Sequence, residues 1–161
     1  MIVVCDASPI IALACAGWFD LLHAVHGEIL IPGAVFNEIN AEDAALPGAR
    51  EVADAAWVKR KVVRDRSLVD ALSLELDPGE AETIALAVEN RADLILLDER
   101  QGRHAARRLG LTVSGTLGVV IVAKDRGVLA SVRPVLDALR AKAGFWIGDD
   151  LYNEVLAAAK E

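Results

Sequence analysis

The chain has 161 residues, 54% of them hydrophobic and 25% charged, with a formal net charge of −7. That length suits one domain with a substantial core, and the acidic balance, with a pI near 5.0, excludes a protein that coats nucleic acid nonspecifically but not an enzyme that grips a few phosphates locally. The apolar runs are too short to span a bilayer and no basic stretch precedes an apolar leader, so the expectation is a cytoplasmic protein with no membrane contact.

An apolar run, Ile2–Asp6, opens the chain as a strand that ends on an acid, and Ser8 is placed to cap the helix pattern that follows over Pro9–His26. A second strand, Glu28–Ile31, leads through Pro32 into a short helix ending at Ile39. The stretch Ala41–Gly48 reads as a mobile loop, and the helix Ala49–Ala56 and the strand Trp57–Val63 follow it. A helix over Leu68–Leu76 gives way to Asp77-Pro78-Gly79-Glu80, which opens another over Pro78–Asn90. Asp77 is its N-cap, Pro78 takes the first helical position, and Glu80 closes a capping box.

Leu94–Asp98 is again a strand delivering an acid, followed by a helix over Gln101–Leu109 and a brief strand at Leu111–Val113. Helices over Leu117–Lys124, Val132–Ala143 and Asp150–Lys160 complete the chain. Cys5 and Cys15 sit within apolar patterns and read as small buried hydrophobes, as suits a reducing compartment. Strands separated by helices predict an α/β fold, a parallel sheet of four to five strands covered on both faces. One domain over 1–161 is expected, with a helical extension from about residue 131 to 161.

In open parallel sheets the active groups lie beyond the carboxyl ends of the strands, so Asp6 and Asp98 are delivered to one edge. Glu38, at the border of the apolar stripe of its helix, is either a solvated glutamate or a third member of that site. Glu80 shares a helix face with Ile84 and Ala87 and points toward the core side, whereas Glu82 aligns with Leu86 and Glu89. Carboxylates gathered together repel one another, and burial adds to the cost. A hard divalent cation such as Mg²⁺ or Mn²⁺ relieves both. The histidines are scattered, and neither a phosphate-binding glycine loop nor a nucleophile elbow is present in the sequence.

These pieces together resemble the PIN-domain nucleases, and in particular a VapC-like subgroup of prokaryotic toxin-type proteins. The resemblance spans nearly the whole chain. It rests on Asp6-Ala-Ser-Pro after the first strand, Glu38 after the second, Gly79-Glu-Ala-Glu opening a helix, Leu97-Asp98-Glu99-Arg100-Gln-Gly-Arg103, and Gly110-Leu-Thr-Val-Ser-Gly-Thr116. It implies a three-layer fold in which Asp6, Glu38, Glu80 and Asp98 hold Mg²⁺ or Mn²⁺ and carry the catalysis. Glu82 stands as the alternative to Glu80, and Glu99, where the subgroup often has a second Asp, has an open role. Ser8 matches a small hydroxyl position beside the first acid.

The activity implied is hydrolysis of RNA phosphodiester bonds, by the toxin of a toxin–antitoxin pair. The alternatives are an inactive PIN-like binding module, and a doubly wound phosphotransfer or phosphatase domain using Asp6 as nucleophile. Arg100, Arg103 and Arg107 follow Asp98 at helical spacing, and their guanidinium forks suit phosphates of the RNA. The basic cluster Lys59-Arg60-Lys61 reads as a strand edge protected by charge. Trp18-Phe19 and Phe145-Trp146-Ile147, together with a mean hydropathy of +0.36, suggest a homodimer. The resemblance adds a cognate antitoxin that places a basic side chain near the acids.

Overall fold

The computed structural model of the chain describes residues 1–41 and 47–161, so most of the loop expected at 41–48 lies outside the described residues. The first half runs β1 (Val3–Cys5), α1 (Ala7–Ala16), α2 (Leu21–His26), β2 (Ile29–Ile31), α3 (Gly33–Asn40), α4 (Ala49–Asp54) and β3 (Val58–Arg60). The second half runs α5 (Arg66–Leu72), α6 (Pro78–Glu89), β4 (Leu94–Leu96), α7 (Arg100–Arg108), β5 (Val113–Ser114), α8 (Thr116–Asp125), α9 (Arg133–Lys142) and α10 (Asp149–Ala158).

The strands form one five-stranded sheet in the order β3-β2-β1-β4-β5, with every neighbouring pair parallel. The chain starts in the middle, winds outward to β3, then returns to β4 on the other side of β1. The strand order therefore reverses between β1 and β4, where an open parallel sheet leaves a crevice at its carboxyl edge. Asp6 follows β1 and its amide donates to the Leu96 carbonyl at 3.0 Å, so the acid is fixed at that reversal.

Alternation along each strand divides the core between the two faces. Val3, Cys5, Ile29, Ile31 and Leu96 pack on the side of α1, α2, α8 and α9, while Val4, Ile95 and Leu97 pack on the side of α5, α6 and α7. A strand buried on both faces reads as an unbroken apolar run, which is why Ile2–Cys5 and Leu94–Leu97 carry no polar alternation.

The single helix expected over Pro9–His26 is two. Gly17, at φ 81°, ends α1 in the left-handed region, and Trp18 donates back to the Leu13 carbonyl at 2.8 Å. The turn lets Phe19 reach the core, where its ring lies 4.9 Å from that of Trp57. The other elements fall within a few residues of their expected places. β3 is an edge strand, and Arg60 lies over the Phe36 ring at 4.4 Å. Among the described residues no helix is long and apolar enough to cross a membrane, and both cysteines are free.

Candidate active site

Three connections converge on the carboxyl edge: β1 into α1, the loop into α6, and β4 into α7. Together with α3 they wall a cleft of about 490 Å³ lined by Asp6, Ser8, Glu38, Glu75, Asp77, Glu80, Glu99, Arg100 and Gln101. Asp6 is the N-cap residue of α1 but makes no side-chain cap. Only 3% of it is exposed, and its Oδ1 has the Thr83 hydroxyl at 3.4 Å. That hydroxyl is already committed to the Gly79 carbonyl at 2.7 Å, so the carboxylate gains little from it.

The clearest measure of convergence comes from Gly79. A methyl group there would stand 2.7 Å from Glu38 Oε2, and 3.5 Å from both Asp6 Oδ1 and Asp77 Oδ1. Three carboxylates thus face one point. Burial, and then Glu38, Asp77 and Glu80, push the Asp6 carboxyl up from 3.8 to about 7, although the Ala7 amide pulls the other way. Glu38 is raised by burial and Asp77, and Glu80 by burial, Asp77, Glu99 and Glu38.

Asp77 and Glu80 form the expected capping box, with the Glu80 amide 2.8 Å from Asp77 Oδ1 and the Asp77 amide 3.3 Å from Glu80 Oε2. The cap leaves Oε1 of Glu80 facing Gly102 of α7, where a methyl group would come within 3.2 Å. Glu82 is engaged elsewhere. Its Oε1 accepts the Ala34 amide of α3 at 3.0 Å, and its Oε2 pairs with Arg66 of α5 at 3.1 Å. α6 therefore sends Glu80 into the cleft and uses Glu82 to hold two neighbouring helices.

Asp98 does not line this cleft. It lines two adjoining ones, one of which shares Ser8 and Glu99 with the acid cleft. Both its oxygens are occupied: Thr116 donates its amide to Oδ1 at 2.8 Å and its hydroxyl to Oδ2 at 2.7 Å. Asp98 thus ties β4 to the first residue of α8, where a helix start favours negative charge. Burial raises its carboxyl, and the Thr116 bonds and Arg103 oppose the rise.

The three arginines separate. Arg100 lines the acid cleft, and Arg103 donates to the Leu97 carbonyl at 2.8 Å while lining the groove beside Asp98. Arg107 is exposed on the last turn of α7 and lines none of these clefts. Sequence reasoning assigned Asp77 only to capping, gave no part to Glu75, and took Gln101 and Thr116 as motif positions without a role in the site. A second use of Asp77 was signalled by its place two residues ahead of the Gly-Glu motif, since a cap beside a buried carboxylate adds charge to the same pocket.

Among the described residues no three side chains of metal-ligating type stand close enough to hold an ion as they are. The donor set nevertheless fits a hard divalent cation that keeps several waters: the groups are all carboxylates, three face the space beside Gly79, and burial and mutual repulsion raise the Asp6 carboxyl. No curated protein is similar enough to this chain to show kinship. The family model described as PIN domain matches residues 2–161. The chain belongs to the PIN-domain family, whose nuclease-type fold is the five-stranded parallel sheet with helices around it described above.

Proposed function

We propose that this chain is a metal-dependent ribonuclease that hydrolyses RNA phosphodiester bonds. The observation that carries the reading is the cluster of mutually repelling acids, Asp6, Glu38, Asp77 and Glu80, in one cleft at the place where the strand order reverses. Asp6, Glu38 and Glu80, with Asp98 from the neighbouring cleft, would hold Mg²⁺ or Mn²⁺, and Asp77 adds charge beside them. Such an ion supplies an activated water and charge stabilisation on the phosphate.

The protein's own groups do the rest. Arg100 lines the acid cleft and pairs with a phosphate oxygen, bringing the scissile group to the carboxylates. Ser8 stands at the junction of two clefts and offers a hydroxyl to the same phosphate. Glu80 is held in place by its capping box, so its free oxygen is oriented before substrate arrives.

Cleavage of labelled RNA is the test, with Mn²⁺ or with chelator, for the wild type and Asp6→Asn. Cleavage that needs the metal and disappears in the variant supports the proposal. Activity that survives both chelation and the substitution refutes it.

The VapC-like reading extends the proposal to the toxin of a toxin–antitoxin pair, acting as a homodimer in the cytoplasm. The antitoxin would set a basic side chain among the acids, because that pocket attracts an arginine for the reason it attracts a metal. Of the apolar anchors expected at a dimer interface, Trp18, Phe19, Phe145 and Ile147 pack against the core, and Trp146 remains exposed. Light scattering across concentration tests the dimer. Co-purification with a small neighbouring-gene product, lost when Asp6 and Asp98 are both neutralised, tests the partner.

A further inference from the structure

We propose that Trp146 is the stacking platform for an RNA base flanking the scissile phosphate, a role that rests on the ribonuclease reading. Trp146 is 84% exposed, in a chain whose other tryptophans are partly buried. Trp57 stacks on His23 with ring centroids 5.0 Å apart, and Trp18 packs against the core. Trp146 instead leaves most of its indole in water.

Its position is specific. Trp146 lines both clefts that Asp98 lines: one shares Ser8 and Glu99 with the acid cleft, and the other is a groove of about 510 Å³. The groove begins at Asp98 and Arg103 and continues between α8 and α10 over Leu117, Ile121, Leu151 and Val155. The charged side chains in its lining are Asp98, Arg103 and the exposed Glu154. A phosphate avoids a carboxylate such as Glu154, whereas the exocyclic amine of a base donates to one. Arg103 beside Asp98 suits the backbone, and the apolar side chains between α8 and α10 suit a base.

The indole is also propped. A methyl group on Gly148 would stand 3.2 Å from Cη2 of the Trp146 ring, so the benzo edge rests over the glycine backbone. Gly148 has φ −65°, an ordinary value, and the lack of a side chain there serves the ring rather than the turn.

The test uses the full chain in chelator, so that binding is read without cleavage. The probes are a short single-stranded RNA of mixed sequence and an abasic oligonucleotide with the same backbone. The expected result is quenching of tryptophan fluorescence by the RNA and not by the abasic strand. Trp146→Ala should weaken RNA binding by roughly 5- to 100-fold, the range for loss of one stacked base. Trp146→Phe should recover most of that loss, Gly148→Ala should fall between, and abasic binding should be unchanged in all.

Equal RNA affinity in wild type and Trp146→Ala overturns the proposal, as does an equal loss on the abasic strand or no binding of RNA at all. Protection of Trp146 by a second copy as concentration rises, without any effect of RNA, also overturns it. Trp146-dependent binding without Mn²⁺-dependent cleavage would leave the platform standing and sink the nuclease reading. Cleavage with an unaltered KM in Trp146→Ala would do the reverse.

Discussion

Asp6 and Asp98 leave adjacent strands at the same edge of the sheet, yet their surroundings are opposite. Asp98 has both oxygens bonded to Thr116 and a guanidinium nearby, so its charge is largely answered within the fold. Asp6 faces Glu38, Asp77 and Glu80 and receives one amide and a distant, shared hydroxyl. Buried charge is retained either because the fold compensates it or because something from outside will. The cleft at Asp98 is built like a joint. The cleft at Asp6 is built like a socket.

The contrast can be broken most decisively through activity. Asp6→Asn and Glu38→Gln should each lower metal-dependent RNA cleavage by about 10³-fold, the scale of several kcal/mol that metal-borne charge stabilisation provides. Single-turnover cleavage at saturating Mn²⁺ measures it, and near-normal rates would make the socket a joint as well.

Next comes pH. The Asp6 carboxyl is raised from 3.8 in the ordinary state to about 7 in the folded protein, so the native state binds the extra proton between those values. Stability of the metal-free protein is therefore full below about pH 4 as far as this group is concerned, and is lost as pH rises through about 7. The loss is of order 2–4 kcal/mol, and Asp6→Asn should remove most of it. Urea unfolding in chelator at acidic and alkaline pH decides the point. A variant with the same slope as wild type would show that the charge is spread over the other acids.

Asp98→Ala should act on stability as well as on activity. Two hydrogen bonds and the charge at the start of α8 disappear, and about 1–3 kcal/mol goes with them. Thr116→Val should reproduce roughly half of that loss while leaving every acid in place. Chemical denaturation of the two variants sharpens the comparison, because a stabilising Asp98→Ala would place Asp98 in the socket.

The smallest effect expected is Gly79→Ala. The position is helical with ordinary backbone angles, so stability should change by less than about 1 kcal/mol. The added methyl would nevertheless displace Glu38, 2.7 Å away, and should reduce the thermal shift produced by Mn²⁺. An unchanged metal shift in this variant would move the ion away from Gly79.

The parallel sheet and the delivery of Asp6 and Asp98 to one edge were legible because an apolar run that closes on an acid is the trace a doubly covered strand leaves where it surfaces. The break at Gly17 was not, since Ala16-Gly17-Trp18 keeps an apolar rhythm while the backbone turns through φ 81°. The choice between Glu80 and Glu82 could be approached from helix faces, but the partners of Glu82, Ala34 and Arg66, come from segments far away in sequence. The bonding of Asp98 to Thr116 was hidden for the same reason: eighteen residues and a whole helix separate them. The pattern of a sequence shows where acids are delivered. It does not show which will find a donor on arrival.

The capping box has an evolutionary consequence. Glu80 begins α6 as well as facing the cleft, and Asp98 fastens the start of α8, so losing either one harms folding even after activity has ceased to matter. Among the described residues Asp6 and Glu38 fasten no helix start with their side chains, and removing them relieves repulsion. A lineage released from selection for cleavage would shed Asp6 and Glu38 first and retain Glu80 and Asp98 for generations as fossils of the site. Counting retained acids would then overstate how many descendants are enzymes, and the first two positions alone would date the loss.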